Sequence, residues 1–183
     1  MIVPGLRYNS PVFPETLDRL FDALELNTND WVLDAGCGRG EMLATLLERF
    51  PCRGVGVDLK AHEIRDAAVR TREYPDRVRF IVGDVREAPL PKEPLGMFVC
   101  AGATHAFGPP GETLESTLAW ALPRVRTAGW LLVGEGFWQQ DPPAAYLAAT
   151  GMSPDEHGSL DETLDLARAS GARLDQAVVS SPA

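Results

Sequence analysis

Short apolar runs alternate with longer amphipathic stretches along this chain of 183 residues. Strand-length runs of this kind, bounded by turn residues, predict five strands. Strands that alternate with helices favour a parallel sheet covered by helices. We therefore predict an α/β fold, a three-layer αβα sandwich with a doubly wound, mostly parallel sheet. The five predicted strands are Trp31–Asp34, Gly54–Asp58, Val78–Val82, Met97–Ala101 and Trp130–Gly134.

The amphipathic stretches predict helices because their apolar residues recur three and four positions apart. The first follows Pro14 and buries Leu17 and Phe21, and the last begins at a Ser159–Glu162 capping box. After that helix, the segment 174–180 predicts a sixth strand. The helices between lie at residues 42–50, 61–72 and 112–122.

The composition predicts one domain over residues 1–183, with an N-terminal lid and helix at 1–28 and a core at 29–183. The hydrophobic share of 45% suffices for one buried core. No apolar run approaches the roughly 20 residues that span a bilayer, and the first ten residues lack a signal-peptide pattern. Three cysteines without paired spacing favour a reducing compartment, so we predict a cytoplasmic protein.

The net charge of −9 argues against nucleic acid or an anionic membrane as a partner, because such partners select basic surfaces. The arginines between Arg65 and Arg79 are interleaved with acidic residues and predict a solvated face. The three histidines lack metal-ligand spacing, so no metal is predicted. We expect a monomer or homodimer with a small-molecule partner.

A glycine-rich turn between the first strand and the next helix is the strongest functional signal. Gly36, Gly38 and Gly40 follow the strand at once, and the free amides of a new helix would face a ligand. A dinucleotide fingerprint would need a glycine at position 41, where this chain has Glu41. Asp34 and Glu41 would repel a diphosphate, whereas Asp34 suits a ligand with an ammonium and a sulfonium.

The segment Asp34-Ala-Gly-Cys-Gly-Arg-Gly40 resembles the first motif of class I S-adenosylmethionine (SAM) dependent methyltransferases, D-x-G-x-G-x-G. The resemblance implies a Rossmann-like fold with SAM as cofactor and S-adenosylhomocysteine (SAH) as product. It also implies that the backbone at 36–38 contacts the methionine part and that Asp34 shapes the pocket. A simple strand-to-helix turn is the structural alternative.

Two further carboxylates end the second and third strands. Asp58, 22 positions beyond Gly36, suits the ribose hydroxyls, although it could also cap the following helix. The family's G-D-x segment maps onto Asp84 and Val85 as adenine contacts, with an Asx turn as the alternative. Because ligands of open parallel sheets bind outside the carboxyl ends of strands, we expect Asp34, Asp58 and Asp84 to converge.

The loop after the fourth strand would surround the reacting end. Small residues at 101–103 leave space beside the sulfur, and His105 is a candidate general base or a structural residue of the loop. The segments 100–108 and 134–138 resemble bacterial small-molecule methyltransferases. That resemblance adds Thr104 and Trp138 on the substrate side and Tyr8 and Asn9 in a lid. The predicted cofactor contacts are Asp34, Gly36, Cys37, Gly38, Gly40, Asp58, Leu59, Asp84, Val85, Cys100 and Ala101.

Related folds continue past the sixth strand, so we expect a missing C-terminal segment or a partner that covers an open sheet edge. The predicted activity is methyl transfer from SAM to an unidentified small molecule. A non-catalytic SAM- or SAH-binding module is one alternative. A nicotinamide-dependent oxidoreductase is a second, which Asp34 and Glu41 disfavour.

Overall fold

A five-stranded sheet forms the centre of the computed structural model, which describes residues 14–179. All strand pairs are parallel, in the order β3-β2-β1-β4-β5. The order reverses between β1 and β4, and such a switch point creates the ligand crevice of doubly wound sheets. The predicted α/β architecture is confirmed. The strands are β1 (Trp31–Ala35), β2 (Arg53–Asp58), β3 (Val78–Val82), β4 (Leu95–Ala101) and β5 (Val125–Gly134).

Six α-helices and three short 3₁₀ helices accompany the sheet in the described part of the chain. The α-helices are α1 (Pro14–Asp22), α2 (Glu41–Arg49), α3 (Ala61–Arg70), α4 (Thr113–Ala121), α5 (Ala144–Thr150) and α6 (Leu160–Ala169). The 3₁₀ helices are Thr104–Ala106, Leu122–Arg124 and Pro154–Glu156. The capping box predicted at Ser159 begins α6, where its side chain accepts a hydrogen bond from the Glu162 amide.

The core lies on both faces of the sheet because successive strand residues point to opposite faces. Val32 and Met97 pack with α1 and α2 on one face, and Leu33 and Phe98 pack against Ala121 of α4 on the other. Residues 32–35 of β1 are all buried, as expected for a central strand. The helices thus fix the strand ends from both sides.

The sixth strand predicted at 174–180 is wrong for its described residues, because 173–179 have no regular secondary structure. A strand needs a neighbour with which to exchange backbone hydrogen bonds. β5 is the last strand of the sheet, and within residues 14–179 nothing pairs with its outer edge. Val178 and Val179 are accordingly about half exposed.

Four strands are longer than predicted, β1 and β2 by one residue each, β4 by two and β5 by five. β5 advances from Val125 to Trp130 while β4 advances only from Leu95 to Met97, so β5 bulges between these pairs. Ala128 in the bulge has a φ of 58°, which is uncommon for a residue with a side chain. β5 therefore begins five residues before the predicted Trp130, and the bulge lies inside it.

The helices found between residues 14 and 179 include none with the length and apolarity that crossing a membrane requires.

Candidate functional site

Three carboxylates lie at the carboxyl ends of three neighbouring strands. Asp34 is the next-to-last residue of β1, Asp58 ends β2, and Asp84 follows β3 by two residues. The strands are adjacent in the order β3-β2-β1, and the Gly83 amide donates to the Asp58 carbonyl at 2.9 Å. The expected convergence on one edge of the sheet is therefore present.

The glycine loop between β1 and α2 is bonded directly to the end of β2. The amides of Gly36 and Cys37 both donate to the Val57 carbonyl, at 2.8 and 3.0 Å. A Cβ added at Gly36 would lie 2.3 Å from the Cβ of Ala103, so only glycine allows this approach to the loop after β4. A Cβ at Gly38 would meet nothing within 4 Å, so the loop is open there.

Asp34 lies buried beneath this loop, with only 3% of its surface exposed. Its Oδ2 atom is buried and has no hydrogen-bond partner among the described residues. Burial, and secondarily repulsion from Asp58, raises the pKa of Asp34 from 3.8 to about 7. A carboxyl that lacks a partner in a polar crevice is suited to a cationic ligand, because the ligand's charge would restore the ionised form.

Asp58 joins the glycine loop to the start of α3. Its Oδ2 accepts from the Gly38 amide at 3.0 Å, and its Oδ1 accepts from the Lys60 amide at 2.8 Å. Each carboxylate oxygen retains a further lone pair for a ligand hydroxyl. The neighbouring Leu59 side chain is 71% exposed beside it and offers an apolar surface at the rim.

Asp84 is bonded to Arg86 in two ways: the Arg86 amide closes the Asx turn that was the predicted alternative, and the Arg86 side chain adds an ion pair that was not predicted. The Arg86 Nη2 lies 2.6 Å from Asp84 Oδ2, and its backbone amide donates to Oδ1 at 2.8 Å. The side-chain hydrogen bond from Arg86, followed by that from its amide, lowers the pKa of Asp84 to about 2. The neighbouring Val85 is buried.

Several of the predicted contact residues are buried. Cys37 and Cys100 belong to the buried core, and Thr104 is 5% exposed. Gly40 precedes α2 and lies against Ala67 of α3. Ala101, in contrast, is half-buried at the end of β4.

His105 is exposed on the 3₁₀ turn after β4, and it lines an open groove of about 1750 Å³ that continues past the end of β5. Trp138 lines the same groove and donates from Nε1 to the Pro154 carbonyl at 2.9 Å. These two predicted residues therefore line one groove, together with Ala101 and Gly102 at the end of β4. Tyr8 and Asn9 lie outside the described residues.

The structure adds Glu135 and His157 to this groove, neither of which was among the predicted site residues. Glu135 accepts hydrogen bonds from the Thr113 hydroxyl at 3.1 Å and from the Gly136 amide at 2.9 Å. His157 Nδ1 lies 3.8 Å from Glu135 Oε1. The resemblance of the segment Gly134–Trp138 could have indicated Glu135. His157 lies 22 positions further along the chain, and no sequence motif connects it to Glu135.

Comparison with known proteins identifies the family of this chain. Residues 32–123, about half of the chain, match the family described as a methyltransferase domain. The crystal structure of a SAM-dependent methyltransferase from Geobacter sulfurreducens in complex with SAH is similar, with a TM-score of 0.75 and 32% identity. That match covers 91% of this chain and 67% of the Geobacter chain.

Two other similar proteins extend the comparison. A SAM-dependent methyltransferase from Thiobacillus denitrificans, also solved with SAH, has a TM-score of 0.76 and 28% identity over 93% of this chain and 72% of its own. The uncharacterized protein YjhP of Escherichia coli strain K12 is 31% identical over 150 residues. That alignment covers 80% of this chain and 58% of YjhP, so this chain spans less than two thirds of that relative. The chain belongs to the methyltransferase-domain family, within the Rossmann-like, SAM-dependent class.

Proposed function

We propose that this chain transfers a methyl group from SAM to a small-molecule acceptor. The observation that carries the proposal is Asp34, a buried carboxyl whose Oδ2 atom has no hydrogen-bond partner within residues 14–179, at the start of a glycine loop that is open at Gly38. A diphosphate would be repelled at this position, whereas a ligand with an ammonium and a sulfonium would be attracted. SAM and SAH are the cofactor and product of the class to which the chain belongs.

Three parts of the ligand would be held by three strand ends. The backbone at 36–38 would hold the amino-acid part, with Asp34 compensating its positive charge. Asp58 would accept from the ribose hydroxyls while it keeps its bonds to the Gly38 and Lys60 amides. Asp84 and the Val85 amide would meet the adenine edge, with Arg86 fixing the Asp84 carboxylate.

SAM, when bound, supplies a methyl group that is already activated by its positive sulfur. The protein's part is to orient the acceptor in line with that methyl and to exclude water, which can contribute about 7–11 kcal/mol. The end of β4 and the groove beside His105 provide the space for the acceptor. His105 is exposed there and would accept a proton from an acceptor that must lose one.

The test is SAH formation by the full chain from SAM with a metabolite panel, together with calorimetric binding of SAH. Asp58→Ala should weaken SAH binding about tenfold or more, because it removes charge-assisted hydrogen bonds. Asp76→Ala is the control, since this exposed aspartate lies in the turn before β3. Unchanged affinity of the Asp58 variant would contradict the ribose assignment.

SAH formation with at least one acceptor is the expected result. If the chain binds SAH tightly and no acceptor in the panel is methylated, the non-catalytic SAM-binding module becomes the better account.

A further inference from the structure

Glu135, His157 and Trp138 form one wall of the groove at the end of β5, here called the acceptor wall. Glu135 and His157 approach to 3.8 Å, and their side chains are 11% and 24% exposed. The Trp138 and His157 rings are in edge-to-face contact, with centroids 5.4 Å apart. His157 thus lies between the Glu135 carboxylate and the Trp138 ring.

The acceptor wall adjoins the cofactor loop through a short series of contacts. Gly36 lies against Ala103 after β4, and the Gly102 amide donates to the Gly134 carbonyl at 3.3 Å. Glu135 follows Gly134 directly, at the carboxyl end of β5. The wall therefore adjoins the end of β4, beside which the reacting methyl would lie.

The charges of this groove disfavour an anionic acceptor. Among its described lining residues no lysine occurs, and the arginines are Arg126 and Arg173. Arg126 is bonded to Asp30 at the opposite ends of the strands, and Arg173 is paired with Asp175. At the acceptor wall the fixed charge is the Glu135 carboxylate, so a phosphate or carboxylate would meet repulsion there.

The same wall suits an organic cation with an apolar body. The Trp138 ring is partly exposed and packs edge-to-face against Tyr146, at 6.0 Å between centroids. An ammonium is attracted both by an aromatic face and by a carboxylate. Leu160 and Leu164 of α6 extend the groove with apolar surface.

Gly136 gives the His157 ring its position. A Cβ at Gly136 would lie 2.7 Å from Cε1 and 2.8 Å from Nε2 of His157, so any other residue would displace the imidazole. The sequence Glu135-Gly136 thus supplies both a carboxylate and the space for the ring beside it. If Glu135 only accepted a structural hydrogen bond from Thr113, position 136 would not need to be a glycine.

We propose that the acceptor is an amine with an apolar body, which Glu135 binds as its ammonium. His157, which lies 3.8 Å from Glu135, removes the proton of this ammonium in place of His105. This inference rests on the proposed methyl transfer. The ammonium gives one proton to the imidazole, which frees the nitrogen lone pair. That lone pair forms the new N–C bond to the methyl group while the C–S bond breaks. The electron pair of the broken C–S bond stays on sulfur. The methylated amine leaves as an ammonium, and the imidazole returns its proton to water.

The first experiment measures SAH formation by the full chain with matched series of arylalkyl amines, alcohols and carboxylates. Each series carries phenyl, naphthyl or indolyl bodies on one to three methylene groups. We expect at least one amine to be methylated at least ten times faster than its matched alcohol and carboxylate. An alcohol or carboxylate methylated as fast as its amine overturns the inference. SAH binding without methylation of any amine also overturns it, whereas absent SAH binding contradicts the proposed function itself.

The second experiment separates binding from proton removal with the best amine. Glu135→Gln should raise KM about tenfold or more, and His157→Gln should lower kcat about 100-fold. The rate of His157→Gln should recover as pH rises, because free amine then arrives from solution. Gly136→Ala should lower kcat as His157→Gln does, although it removes no charge.

Glu115→Gln, an exposed substitution on α4, is the control, and SAH affinity should stay unchanged in all four variants. Equal losses of kcat with every acceptor, or no recovery at high pH, would mean that the wall is only structural.

Discussion

Replacing Asp34 by asparagine should stabilise the protein without ligand while weakening its binding of SAH. Burial, followed by repulsion from Asp58, raises the pKa of Asp34 from 3.8 to about 7. One pKa unit corresponds to about 1.4 kcal/mol, so ionised Asp34 destabilises the folded state by at most about 4 kcal/mol. An amide of the same shape has no charge to bury. Its own unpaired N–H reduces the gain, so we expect about 1–4 kcal/mol at pH 8.

The pH dependence distinguishes this effect from a general change in packing. Because the folded state has the higher pKa, it binds more protons than the unfolded chain between pH 3.8 and 7. The stabilising contribution of protonated Asp34 is complete below pH 3.8 and is lost as pH rises through 7. The advantage of Asp34→Asn over the wild type should therefore grow by about 2–3 kcal/mol between pH 5 and pH 8.

The assay is urea unfolding of the full chain at several pH values, followed by tryptophan fluorescence. Asp30→Asn is the matched control, because Asp30 is equally buried but is bonded to Arg126 at 2.8 Å and to Asn27. Burial alone would raise the pKa of Asp30, but the hydrogen bonds from Arg126 and Asn27 lower it. The contribution of Asp30 is present above the unfolded value of 3.8, so its loss should cost about 1–3 kcal/mol throughout pH 5–8.

A result in which Asp34→Asn destabilises the protein equally at pH 5 and pH 8 would refute this reasoning. It would mean that the Asp34 carboxylate is ionised and satisfied in the folded protein without ligand.

Other predictions test the neighbouring features of the site. Gly36→Ala should lower the free energy of unfolding in urea by about 2–5 kcal/mol, because the added Cβ would lie 2.3 Å from that of Ala103. Gly151 has nearly the same φ but open space around it, so Gly151→Ala should lower this free energy by about 1–2 kcal/mol. Equal costs would show that the contact with the β4 loop is unimportant. Arg86→Gln should raise the pKa of Asp84 from about 2 towards 3.8, measured by carboxyl NMR titration, and an unchanged value would contradict the ion pair. Burial raises the pKa of all three cysteine thiols, so Ellman's reagent should react slowly with the native protein. After denaturation, it should react rapidly with three thiols. A rapid reaction of the native protein would contradict the burial of the thiols.

The central strands and the glycine loop were predictable because their sequence signals are local. Buried parallel strands are continuous apolar runs, and residues 31–34 and 54–58 have that form. The loop at 36–40 follows the first strand with glycines that the close packing on Ala103 requires. α5 was missed, although Pro143 before it and Gly151 after it are typical helix boundaries.

The remaining features depend on contacts that a sequence pattern does not specify. The segment 174–179 has the apolar residues of a strand, but it does not pair with the free outer edge of β5, and strand pairing depends on contacts distant in sequence. Asp84 was predicted as an adenine contact or an Asx turn, and the local Asx turn is present. The ion pair was not predictable, because the sequence does not indicate that the Arg86 side chain folds back onto Asp84. Glu135 and His157 meet only because the chain passes through α5 and returns to the end of β5.

The most direct test of the central claim is calorimetric titration of the full chain with SAH and, in parallel, with NAD. The claim is that the open crevice at the ends of β1, β2 and β3 binds an adenosine carrying a cationic amino-acid chain. It predicts one-to-one binding of SAH in the micromolar range and no heat of binding with NAD. Binding of NAD without binding of SAH would contradict it.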